Sequence, residues 1–183
     1  MSGLVKGLAA VLPPTIHPMI VHFPIALLYL TIAVDILMWV APPEQGRFFP
    51  RASFWLLTAS CVAIIAAMVA GIISEQSIHL TPQTQAMLSA HQHYAILTGL
   101  CAGAAWLLRV FGRFPRAERG GWSIFGTGRG RPSLLATVFV AGAVIFVSIT
   151  GSLGGSMVYD HGVGVHASAP TSTTTSSTAK THG

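Results

Sequence analysis

With 183 residues, 52% of them hydrophobic and only 8% charged, the chain departs far from a water-soluble domain, in which about a quarter of residues carry charge. Its formal net charge of +5 comes largely from arginines in one loop that has no aromatic stacking array, which excludes nucleic acid and points to membrane lipid. The two cysteines, Cys61 and Cys101, lie in apolar stretches without a CxxC or CxxCH pattern, so structural zinc, a redox pair and covalently attached haem are disfavoured.

Residues 1–15 form an N-terminal segment. It has one lysine, a weak apolar run and Pro13-Pro14, but no long hydrophobic core or A-x-A site, and is expected to stay in the mature protein. A hydrocarbon core takes about 20 apolar residues to cross. The first such window, 19–40, opens after His17-Pro-Met-Ile-Val-His22 and contains Pro24 and Asp35. Pro24 falls near its first turn, where proline is tolerated. Asp35 reads as a buried acceptor, to Thr58 or Ser60 for example, or as the partner of an arginine.

The second window, 53–74, follows a loop with Pro42-Pro43, Arg47 and Arg51, and it ends at Glu75 with His79 beyond. The third, 90–111, begins at His91-Gln-His93, carries the small pair Gly99 and Gly103, and ends near Arg109. A loop with Arg113, Arg116, Arg119, Arg129 and Arg131 leads to the fourth, 133–153. Within that loop, Gly126-Thr-Gly-Arg-Gly-Arg131 lacks the ending and the preceding strand of a phosphate loop. The Ser- and Thr-rich tail, 167–183, is too polar to fold.

These windows predict an all-α fold, a four-helix transmembrane bundle occupying residues 16–166. Arginines mark the cytoplasmic side of short loops, and both basic loops lie on the same side, with Trp39, Trp55 and Trp106 at that interface. Both termini are therefore expected to be periplasmic. His22 precedes Val40 by 18 positions and His91 precedes Arg109 by 18. At ~1.5 Å per residue each lies ~27 Å from the cytoplasmic boundary, and Glu75 falls at nearly the same level.

Imidazole suits iron, copper and zinc, and haem takes two axial imidazoles from different helices. His22 and His91, level on two spans, are the expected metal ligands of a haem b, with His17 and His161 as further cofactor-binding candidates. Asp160 and Glu75 would orient a ligand by accepting its second N–H. His93 points ~200° around the helix from His91. The resulting expectation is a b-type haem-binding electron-transfer subunit whose site lies near the periplasmic face and whose partner is a quinone or a periplasmic redox protein.

Two alternatives stand beside it. One is a cofactor-free accessory subunit of a larger membrane complex. The other is a copper- or proton-handling membrane protein using three or four of His17, His22, His91, His93 and His161, with Met19, Met87 and Met157 at the same level. Span ends are also where a histidine simply faces water, and His79, His166 and His182 read that way. No Ser/His/Asp or Cys/His order suggests a nucleophile, so a redox or accessory subunit fits better than a self-contained enzyme.

His17-Pro-Met-Ile-Val-His22-Phe-Pro-Ile-Ala-Leu, with Asp35 further along, resembles the opening of a bacterial membrane family catalogued as domain of unknown function 2231. Gly151-Ser-Leu-Gly-Gly-Ser-Met-Val-Tyr-Asp-His-Gly-Val-Gly-Val165 resembles its closing motif, with Met157 where leucine is usual. The likeness runs from about residue 13 to 166. It implies a four-helix protein of the bacterial inner membrane and supplies no activity. The functional residues it carries are those within the motifs: His17, His22 and His161.

Overall fold

The computed structural model describes residues 7, 16–40, 48–76, 78, 80–112 and 133–164. The N-terminal segment apart from Gly7, the arginine-rich loop, the tail, His79, His166 and His182 lie outside the described residues. Those described are helical, without strands: α1 (Ile16–Ile20), α2 (His22–Val40), α3 (Phe48–Glu75), α4 (Pro82–Gly112) and α5 (Leu134–Tyr159). A helix pairs every backbone N–H and C=O internally, which a segment surrounded by hydrocarbon requires.

Four helical stretches are long and apolar enough to cross a membrane, α1 and α2 counting as one of 25 residues. Pro24 explains why that stretch is broken. Its ring lacks an N–H and crowds the carbonyl of the residue four positions back, Ile20, where α1 ends. Hydrogen bonds from Val21 N–H to the His17 carbonyl (3.1 Å) and from Ile25 N–H to the Val21 carbonyl (3.4 Å) carry the chain through. α4 starts at Pro82, well before the window expected from hydropathy, behind a cap in which Thr81 and Thr84 satisfy each other's backbone N–H. His91 therefore sits inside α4, not at its start.

The helices pack as two hairpins, α2 on α3 and α4 on α5, and the ring closes through α2 on α5 and α3 on α4. α2 and α4 thus face each other along one diagonal. Leu28, Leu57, Ile64, Ala102, Ala105, Val140, Ala143 and Val147 form the core. Three of these eight are alanines, which keeps the axes close. Val62, Ile65, Ile72, Leu100, Val138 and Ile145 point outward, as expected where the surrounding solvent is lipid.

Candidate paired-histidine site

At the end of the bundle away from Arg51 and Arg109, His17 of α1 and His91 of α4 come together across the diagonal. Their ring centroids lie 6.2 Å apart and the ring planes are 75° apart. His17 Nδ1 lies 2.9 Å from the Ala67 carbonyl on α3, and His91 Nδ1 lies 2.9 Å from the Thr150 carbonyl on α5. A carbonyl only accepts, so each Nδ1 carries the proton and each Nε2 presents a lone pair. Neither Nε2 has a hydrogen-bond partner among the described residues.

Each ring also lies against a glycine of the helix that holds it. A Cβ on Gly71 would sit 3.2 Å from His17 Cε1 and 3.3 Å from its Nδ1. On Gly154 it would sit 3.3 Å from His91 Cε1 and 3.5 Å from its Nδ1. The two halves of the site are built alike.

At the opposite end of the same diagonal, Asp35 of α2 and Arg109 of α4 form an ion pair through Arg109 Nη2. Ser53 of α3 closes the network. Its hydroxyl donates to Asp35 Oδ1 (2.5 Å) and accepts from Arg109 Nη1 (2.5 Å), which also donates to the Ser53 carbonyl (3.2 Å). Asp35 is fully buried and Arg109 is 9% exposed. Thr58 and Ser60 are engaged elsewhere, each donating to the carbonyl four positions back, with Thr58 also accepting from Trp106 Nε1 at 3.0 Å.

The other expected site residues stand apart from the pair. His22 is exposed and makes no hydrogen bond among the described residues, five positions from His17 and so about 140° around the helix. His161 is exposed beyond α5, its Nδ1 3.3 Å from the Ser156 carbonyl. Asp160 accepts from the Ser156 hydroxyl, and Glu75 accepts from Gln92 Nε2 at 3.1 Å, so backbone carbonyls and not carboxylates hold the two imidazoles. His93 is exposed and bonds back to the Ser89 carbonyl at 2.7 Å. Met19 is exposed and Met157 buried.

Among the described residues no three His, Cys, Asp or Glu side chains converge on a point. Two imidazoles alone fall short of the three or four protein donors that zinc takes.

A family profile described as a predicted membrane protein, DUF2231, matches residues 13–167. The chain belongs to this family. The match takes in all four spans, both histidines of the pair and Asp35 and Arg109. No curated protein and no solved structure matches the chain.

One signal for this pairing lies in the family member's own spacing. At about 100° per residue, 18 positions make about five full turns. His17 and Asp35 are 18 apart, as are His91 and Arg109, so each histidine shares a helix face with one partner of the ion pair. An acid and a base buried on two spans bring those faces together.

Proposed function

We propose that this chain is an integral-membrane, b-type haem-binding electron-transfer subunit, with His17 and His91 as the axial ligands. One observation carries the reading: two imidazoles on diagonally opposed helices, each with its Nδ1–H donated to a carbonyl and its Nε2 unpartnered, 6.2 Å between ring centroids. Two imidazoles bound through Nε2 at about 2.0–2.1 Å to one metal have ring centres about 6 Å apart. Donating the far N–H to a carbonyl is the usual way a protein fixes a ligating histidine. Gly71 and Gly154 leave room for each imidazole to lie against the helix that holds it.

Bound there, haem would supply one-electron exchange. The chain's own part is to hold two neutral imidazoles in a fixed tautomer and to surround them with hydrocarbon. The arginines gather at the opposite end, which supports a periplasmic site in the bacterial inner membrane and a quinone or periplasmic redox protein as partner.

The test is the absorbance spectrum of protein expressed with added haem. A sharp Soret band and resolved α and β bands on reduction are expected. His17→Ala and His91→Ala should each abolish this six-coordinate spectrum, and His22→Ala should retain it. Folded protein that takes up no haem, or a spectrum that survives His17→Ala, overturns the reading and leaves a cofactor-free accessory subunit.

A further inference from the structure

We propose that Gly71 and Gly154 are positioning residues of the histidine pair, each uncovering a helix carbonyl so that an imidazole from another helix can share it. The inference rests on the paired-imidazole reading and deepens it. In a continuous helix the carbonyl of residue i accepts the N–H of residue i+4. The Ala67 carbonyl is therefore already bonded by Gly71 within α3, and the Thr150 carbonyl by Gly154 within α5. In both cases the histidine is a second donor to an occupied acceptor, using the second lone pair.

A side chain at i+4 stands in the way. Cβ atoms of a helix tilt towards its N-terminus, so the Cβ of residue i+4 overhangs the carbonyl of residue i. Glycine removes that overhang. The space the missing Cβ leaves is where each ring lies: the nearest ring atom is 3.2 Å from the Cβ position at Gly71 and 3.3 Å at Gly154. An alanine there forces the ring back and lengthens a 2.9 Å bond that fixes the tautomer.

The same device appears twice, once in each hairpin. His17 and Gly71 belong to the first hairpin, His91 and Gly154 to the second, and each histidine is held within its own hairpin. Neighbouring glycines do not share the role. A Cβ on Gly155 or Gly103 meets nothing within 4 Å, and one on Gly151 reaches only Ile25 at 3.9 Å.

The experiment is nitrogen NMR of the purified, full-length protein in detergent, labelled at histidine and measured without haem. In the parent protein His17 and His91 are expected as Nδ1–H tautomers. Gly71→Ala should shift His17 towards a tautomer mixture and leave His91 alone, Gly154→Ala should do the reverse, and Gly155→Ala should change neither. Alanine favours a helix over glycine, so thermal stability is expected to hold or rise, which separates positioning from a general packing defect. Haem affinity should fall about 10–100-fold in both active variants.

Unchanged tautomers in both glycine variants overturn the inference. Tautomer shifts in a protein that binds no haem uphold the glycine role and overturn only the haem reading. If one variant fails to fold, the other decides, because the two sites are built independently.

Discussion

Asp35 and Arg109 place opposite charges in a hydrocarbon setting, where neither is tolerable alone. Removing one partner strands the other, so Asp35→Ala or Arg109→Ala is expected to cost about 3–5 kcal/mol. Replacing both with leucine and methionine should cost far less, since the pair also carried its own desolvation penalty. Denaturant unfolding in detergent of the two single variants and the double variant measures this, and additive losses would deny the coupling. Ser53→Ala removes a hydroxyl that bridges the two, at about 1–3 kcal/mol. At this scale the sequence was informative about types and ambiguous about partners. It offered an arginine for Asp35, but the serine came from 18 positions further along the sequence, near the start of the next helix, at Ser53 and not Thr58 or Ser60. Matching depths favoured His22 beside His91, whereas helical phase brings His17 there. The carbonyl acceptors of Ala67 and Thr150 carry no signature, because any residue has a carbonyl.

At the scale of elements, four apolar windows located four helices, since composition alone decides what a bilayer accepts. Their outer ends were less legible. Polar residues such as Gln83, Gln85 and Gln92 end a hydropathy window, but α4 begins at Pro82 and runs past all three, because its inner face still packs on α5. The break between α1 and α2 lies between His17 and the rest of its span, and hydrogen bonds across it keep the helical phase. Pro24→Ala restores an N–H opposite the Ile20 carbonyl and lets one helix run unbroken from Ile16. The expected outcome is local. His17 should keep its Nδ1–H tautomer signature by NMR, as should His91, and unfolding stability should change by no more than about 1 kcal/mol, the restored hydrogen bond offsetting packing lost at the buried proline ring. Loss of the His17 signature would mean that the proline, and not docking on Gly71, directs that ring.

Along one diagonal the described residues carry an ionisable pair at each end. His17 and His91 mark one end, Asp35 and Arg109 the other, and the hairpins are joined midway by Tyr29 bonding to Ser148 at 2.7 Å. The ends differ in charge as well as chemistry. Between Arg51 and Arg109 there is no lysine or arginine, and none between Arg131 and Lys180, so among the described residues the histidine end carries Glu75 and Asp160 and no lysine or arginine. Positive charge resists transfer across the bacterial inner membrane, which favours leaving the arginine end behind in the cytoplasm. On the proposed reading the histidine end would face the periplasm. Single cysteines read this directly. Gln76→Cys, at the exposed end of α3, should react with a membrane-impermeant maleimide on intact cells, while Arg51→Cys should react only after the membrane is opened. The reverse pattern would turn the bundle over, and with it the partner: a pair of ligands on the cytoplasmic side would exchange electrons with a soluble donor inside the cell and have no access to a periplasmic one.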